Sequence, residues 1–148
     1  VNEDRIERET LIEASQERVW SLVTQPGFWV AEDTAPLGPV AEEGGTTVVK
    51  NAEYGDFPVR VETVEPQTYV AYRWASAFPG AGLREGNSTL VEFTLVPEGG
   101  STRLRVVESG FAALAGSDEL RSKAVEDNTS GWPQVLDAFR TRAEGERV

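Results

Sequence analysis

Apolar and polar positions alternate through the middle of this chain and recur at helical spacing at its two ends. Near the start, "RIERETLIEA" puts Ile6, Thr10 and Ile12 on one side of an expected strand, with Arg8 the charged exception at the same parity. Ser15 then offers an N-cap with Glu17 in the first turn, and Val19, Leu22 and Val23 share a helical face beside Trp20. Pro26-Gly27 ends that helix, and "GFWVAED" reads as a second short helical turn carrying Phe28 and Trp29.

The central part reads as strands. "GTTVVKNAEY" follows an "EEGG" turn, and "DFPVRVETVE" sets Val59, Val61 and Thr63 on one face. Beyond the turn "EPQT", "YVAYRWASA" places Val70, Tyr72 and Trp74 on one side. "STLVEFTLV" aligns Thr89, Val91, Phe93 and Leu95, and after "PEGGS" the segment "TRLRVVES" aligns Leu104, Val106 and Glu108. Alternation broken by short turns predicts an antiparallel meander with one buried face. From Ser117, a second N-cap, a helical pattern runs to about Ala143. The order of strand, helices, strands and a closing long helix predicts one α+β domain over residues 1–148.

The closing helix contains an anomaly. In "NTSGWPQVLDAF", Trp132, Val135, Leu136 and Phe139 share a face, yet Gly131 and Pro133 bracket the tryptophan. A proline inside a helix removes an amide donor and crowds the carbonyl of Thr129. The expectation is one long helix, bent near residues 129–133, with Trp132 closing one end of a pocket.

Composition narrows the chemistry. The formal net charge of −11 repels phosphate backbones and anionic membranes, so neither nucleic acid nor a membrane is an expected partner. The opening "VNEDRIERE" has no apolar core of a signal peptide, and a cytoplasmic location is expected. The chain contains no Cys and no His, which removes thiolate chemistry, imidazole bases and the commonest metal ligands. Catalysis would fall to carboxylates, Tyr, Lys or Arg, and a binding role with no cofactor and no metal is favoured.

Some motifs read as ordinary structure. "GAGLREG", Gly80 to Gly86, lacks dinucleotide-fingerprint spacing and leads into a strand, so a hairpin loop is expected. Glu42, Glu43, Glu53 and Asp56 have no spacing that fixes a metal geometry. Glu108 stands out because it shares parity with Leu104 and Val106. On a buried face its carboxylate would favour the neutral acid unless a cation or hydrogen-bond donors compensate. A pair with Arg8 and a solvent-reaching strand end are both open at this level. Asn128, one turn before Trp132, is an amide facing the sheet that must find a partner.

Four segments together resemble the START-like (SRPBCC) superfamily, in its heat-shock-protein ATPase activator homologue branch. "IEASQERVWSLVTQP" is similar to the family's opening strand and helix, with Gln16 where a proline is usual. "VETVEPQTYVAYRW", "STLVEFTLVPEGGSTRLRVVESGF" and "SGWPQVLDAF" resemble its hairpins and terminal helix. The resemblance implies a helix-grip fold: two short helices after the first strand, then a curved antiparallel sheet around a long C-terminal helix, with a cavity between sheet and helix. Superfamily members bind lipids, polyketides, hormones or other hydrophobic molecules, and some are cyclases or hydratases. The expected pocket draws Val61, Tyr72, Trp74, Phe93, Leu95, Val106 and Glu108 from the sheet and Asn128, Trp132 and Leu136 from the helix. Tyr72, Glu108 or Asn128 would orient a small hydrophobic ligand, as a monomer or homodimer. A cyclase or hydratase using Glu108 as acid or base is the alternative, and a co-chaperone module the third. The family's name-giving co-chaperones carry an additional N-terminal region for which these 148 residues leave no room, so a chaperone partner is the weaker expectation.

Overall fold

Strand pairing follows the alternation. In the computed structural model, which describes residues 5–24, 44–51, 55–74, 88–111, 114 and 117–145, the order is β1 (Arg5–Ile12), α1 (Gln16–Val23), β2 (Thr46–Asn51), β3 (Gly55–Glu65), β4 (Tyr69–Trp74), β5 (Thr89–Glu98), β6 (Ser101–Ser109) and α2 (Asp118–Gly145). The strands form one six-stranded sheet in the order β1-β6-β5-β4-β3-β2, each pair antiparallel. The second helical turn expected around Phe28 and Trp29, the Gly80 to Gly86 loop and the acidic residues Glu42, Glu43 and Glu53 lie outside the described residues. Asp56 lies within β3, where its backbone alone is described.

One face of the sheet is apolar, as alternation requires. Val91, Phe93 and Leu95 of β5 and Leu104 and Val106 of β6 are buried, with Val70 and Tyr72 of β4 beside them. β3 departs from simple alternation, because its register against β4 shifts between Val61 and Thr63. The irregularity turns Val64, not Thr63, towards the core: Val64 packs against the cluster that holds Val59 and Val61. An extra residue in one strand reverses the parity of everything beyond it.

α1 begins where its cap predicts, with Ser15 Oγ accepting from the Arg18 amide at 3.2 Å. Val19, Trp20, Leu22 and Val23 are buried. The Tyr72 hydroxyl donates to the Val23 carbonyl at 2.7 Å, tying the end of α1 to the sheet. Tyr72→Phe should therefore cost about 1–3 kcal/mol, since a buried carbonyl loses its partner while the ring stays. A urea titration of both proteins reads this, and an unchanged midpoint would show the bond to be idle.

α2 starts at the second expected cap, where the Leu120 amide donates to Ser117 Oγ at 3.1 Å. It continues as one helix through Pro133 to Gly145. At its far end Arg18 Nε donates to the Ala143 carbonyl at 2.8 Å, and the Glu13 amide to Glu144 Oε2 at 2.9 Å. Between these ends, Ala124, Trp132, Leu136, Phe139 and Ala143 face the sheet and are buried. Among the described residues no helix is long and apolar enough to cross a membrane.

Candidate functional site

Among the described residues the buried carboxylate is Glu108, at the inward-facing end of β6 and fully shielded from solvent. β6 stops just beyond it, where Gly110 takes a φ of 93° and turns the chain towards the buried Phe111. Such a backbone is strained for any residue with a Cβ.

Register decides the carboxylate's neighbours. Glu108 lies between Ile6 of β1 and Val91 of β5, whereas Arg8 is opposite Val106. The Arg8–Glu108 pair that parity left open is not formed. Arg8 is exposed, and its guanidinium donates to the adjacent Glu7 carbonyl at 2.6 Å. Two residues of register separate the groups, and alternation carries no information about register.

In place of a cation, Glu108 has four neutral donors. Trp74 and Thr89 are cross-strand partners on β4 and β5. The Trp74 indole donates to Oε2 at 2.8 Å and the Thr89 hydroxyl to the same oxygen at 2.5 Å. Asn128 and Trp132 are one turn apart on α2, and both reach the other oxygen: Asn128 Nδ2 donates to Oε1 at 2.9 Å and Trp132 Nε1 at 2.8 Å. The sheet holds one oxygen and the helix the other, so a single side chain joins the two layers.

This arrangement saturates the group, since a carboxylate offers about four lone-pair sites. Burial pushes the Glu108 pKa above the ordinary 4.5, and the bonds from Thr89, Trp132, Trp74 and Asn128 pull against that rise. Proton uptake fits the geometry at one point. The two indoles can only donate, whereas the Thr89 hydroxyl can turn and accept a proton carried on Oε2. The neutral acid thus keeps the same four neighbours.

An aromatic wall continues from the carboxylate. Trp132 lies 6.0 Å from Trp74 and 5.9 Å from Phe93 between ring centroids. Phe93 meets Phe139 edge-to-face at 5.7 Å and Tyr72 at 6.2 Å. Val61, Leu95 and Val106 are buried in the same core cluster. Trp74 and Asn128 are half-buried, so the cluster reaches the surface on their side. A separate cleft of about 180 Å³ opens between β1 and α2, lined by Arg8, Glu9, Thr10, Pro133, Leu136 and Asp137. Of the residues expected to line a pocket, Leu136 alone borders this cleft; Trp74, Glu108, Asn128 and Trp132 converge on the polar cluster instead. The sequence reading missed Thr89 as a member. Its signal was a hydroxyl at an inward position, in parity with Val91 and Phe93.

The family of the chain is shown by its sequence. The family model described as "Activator of Hsp90 ATPase homolog 1-like protein" matches residues 13–144. The chain belongs to that family. Solved structures similar to this chain include protein MLL2253 from Mesorhizobium loti, at 22% identity over 97% of this chain and 99% of that one, with a TM-score of 0.71. The Aha1 dimer from Colwellia psychrerythraea aligns at 16% identity over 97% and 98% of the two chains, with a TM-score of 0.69. DynU16, a putative protein in the dynemicin biosynthetic locus, aligns at 24% identity and a TM-score of 0.70 over 97% of this chain and 48% of its own. No curated protein matches the sequence. The chain thus has the helix-grip α+β fold of these relatives, a curved antiparallel sheet with a long C-terminal helix. Fold alone assigns no ligand.

Proposed function

We propose that this chain is a binding protein for small hydrophobic molecules, held between the sheet and α2 at the aromatic wall beside Glu108. The observation that carries the reading is a buried carboxylate with neutral donors, set among aromatic rings and reaching the surface at Trp74 and Asn128. A buried charge lacking a counter-ion costs several kcal/mol. The four donors offset part of that cost, yet donors and acceptor alike could be replaced together by apolar groups of the same shape, so a polar cluster at this place is what a site role accounts for. Apolar walls with a few convergent polar groups are the usual composition of small-molecule sites. Each ligand methylene buried there would contribute about 0.8 kcal/mol. The similar structure DynU16, a putative protein in the dynemicin biosynthetic locus, is consistent with a small-molecule role.

A cyclase or hydratase reading has one observation in its favour: burial raises the Glu108 pKa, as acid–base catalysis near neutral pH requires. The same geometry weakens it, because a substrate could reach the carboxylate only by displacing one of four protein donors, whereas an apolar ligand need not touch it. Binding is therefore the better supported reading. We take the chain to act as one domain, in monomeric or homodimeric form.

The test is a panel of apolar alcohols, steroids and polycyclic aromatics titrated against tryptophan fluorescence, since Trp74 and Trp132 stand at the site. Saturable spectral shifts that Asn128→Ala or Trp74→Ala weakens are expected. A spectrum indifferent to every compound would remove the proposal.

A further inference from the structure

The charge environment of the site goes further than its apolarity and specifies what class of ligand it takes. Resting on the binding role proposed above, we infer that Glu108 restricts the site to uncharged apolar molecules, preferably with one O–H or N–H donor, and excludes carboxylates, free fatty acids among them.

The reasoning begins with what surrounds the carboxylate. Across the sheet its neighbours are Ile6 on β1 and Val91 on β5. From β4, β5 and α2 come Trp74, Thr89, Asn128 and Trp132, none of which carries a charge. The inward-facing Tyr72 on β4 directs its hydroxyl to Val23, away from the carboxylate. Arg8 is exposed and lies opposite Val106, two residues along the strand. Among the described residues the site therefore holds a carboxylate and no buried cation to set against an incoming anion.

An anionic headgroup would be disfavoured in either protonation state of Glu108. If Glu108 is ionised, two like charges approach in a medium that screens poorly, and their repulsion is large. If it is protonated, the ligand's charge must still leave water with no buried cation among the described residues to receive it. The net charge of −11 adds a weaker repulsion at longer range, and salt screens that part.

A ligand donor, by contrast, has a natural point of entry. Both carboxylate oxygens are occupied, so a donor must replace one of the present partners. The half-buried Asn128 is the replaceable one. Its amide carries both donor and acceptor atoms and can turn to meet the ligand, whereas the indole of Trp132 is packed against Trp74 and Phe93. An alcohol hydroxyl would then donate to Oε1 while accepting from Asn128. A carboxylate has no proton to donate and presents two acceptors to an acceptor.

The experiment compares decanol with decanoate, which share an apolar body and differ in charge. Both are titrated against the whole chain at neutral pH, by tryptophan fluorescence and by calorimetry, at low and high salt. Decanol is expected to bind at least about tenfold more tightly than decanoate, a difference of about 1.4 kcal/mol, and to keep that margin at high salt. Equal binding of the two would overturn the charge selection and leave the binding role standing. A preference that vanishes with salt would assign it to the surface charge and equally overturn the inference. If neither ligand binds, and nothing in the wider panel does, the binding role itself fails. Glu108→Ala supplies a further readout. It removes the charge and leaves the donors of Thr89, Trp74, Asn128 and Trp132 facing a hole of carboxylate size, so decanoate should gain on decanol. A variant that folds and retains the wild-type preference would show that another group selects. The wild-type comparison stands even if the variant does not fold.

Discussion

Trp132→Ala is expected to destabilise the fold by about 3–5 kcal/mol, the range for emptying a buried aromatic site. The ring is almost fully buried and touches both Trp74 and Phe93, so no neighbour can swing in from solvent to fill the space. The substitution also strips one of the two donors from Oε1, leaving Asn128 alone on that oxygen. Trp132→Phe separates these effects. It keeps an aromatic ring against Phe93 and removes the indole N–H, and should cost about 1–3 kcal/mol. Urea unfolding of the three proteins measures both steps. If the phenylalanine variant is as unstable as the alanine variant, the hydrogen bond and not the packing dominates at this position. If it equals wild type, the bond to Glu108 contributes nothing.

The second large effect is a dependence on pH. Glu108 has a folded-state pKa raised above the ordinary 4.5, chiefly by burial. Below the ordinary value the folded and unfolded chains both carry the proton, and the contribution of this group to stability is fully present. As pH rises past that value the unfolded chain ionises first while the folded chain holds its proton. Stability from this group then falls by up to about 1.4 kcal/mol per pH unit until the folded pKa is passed. Glu108→Gln removes the titration and substitutes a defect of its own. An amide has one acceptor oxygen, yet Trp74 and Trp132 bring donor-only indoles to different oxygens. Whichever way the amide turns, its NH2 faces one of them. The variant should be about 1–3 kcal/mol less stable than wild type in acid, and the gap should close as pH rises. Unfolding free energies of both proteins across this range give the difference directly, and other carboxylates cancel in it. A gap that widens with pH would mean that the four donors overcome burial and hold Glu108 ionised.

Both results concern a cluster that was only partly readable from the chain. Alternation on β5 and β6 placed Thr89, Val91, Phe93, Leu104 and Val106 on the expected buried face, with Glu108 at the same parity and its burial open, and in the structure all six are buried. Helical spacing put Asn128, Trp132 and Leu136 on the sheet-facing side of α2, and Ser15 and Ser117 marked the helix starts. The expected continuity of α2 through Gly131 and Pro133 also holds, with Trp132 buried and Pro133 on the wall of the cleft beside β1. These features follow from periods of two and 3.6 residues, which are local properties of a chain.

Other features depended on quantities that no local period contains. Val64 took the inward place expected of Thr63 because of a register shift within β3. Arg8 and Glu108 shared a face and not a contact, because β1 meets β6 with Ile6 opposite the carboxylate.

The division is clearest at Glu108. The sequence by itself put a carboxylate in parity with Leu104 and Val106 and implied that, once buried, it would need partners; burial, a pair with Arg8 and a solvent-reaching strand end all stayed open. Which partners was decided by three separate placements: the pairing of Trp74 with Thr89 across β4 and β5, the register of β6 against β5, and the height of α2 above the sheet. A hydrogen bond depends on distances of a few tenths of an ångström between groups far apart in the chain. Only packing of the whole fold sets such distances, and it gave each carboxylate oxygen one indole.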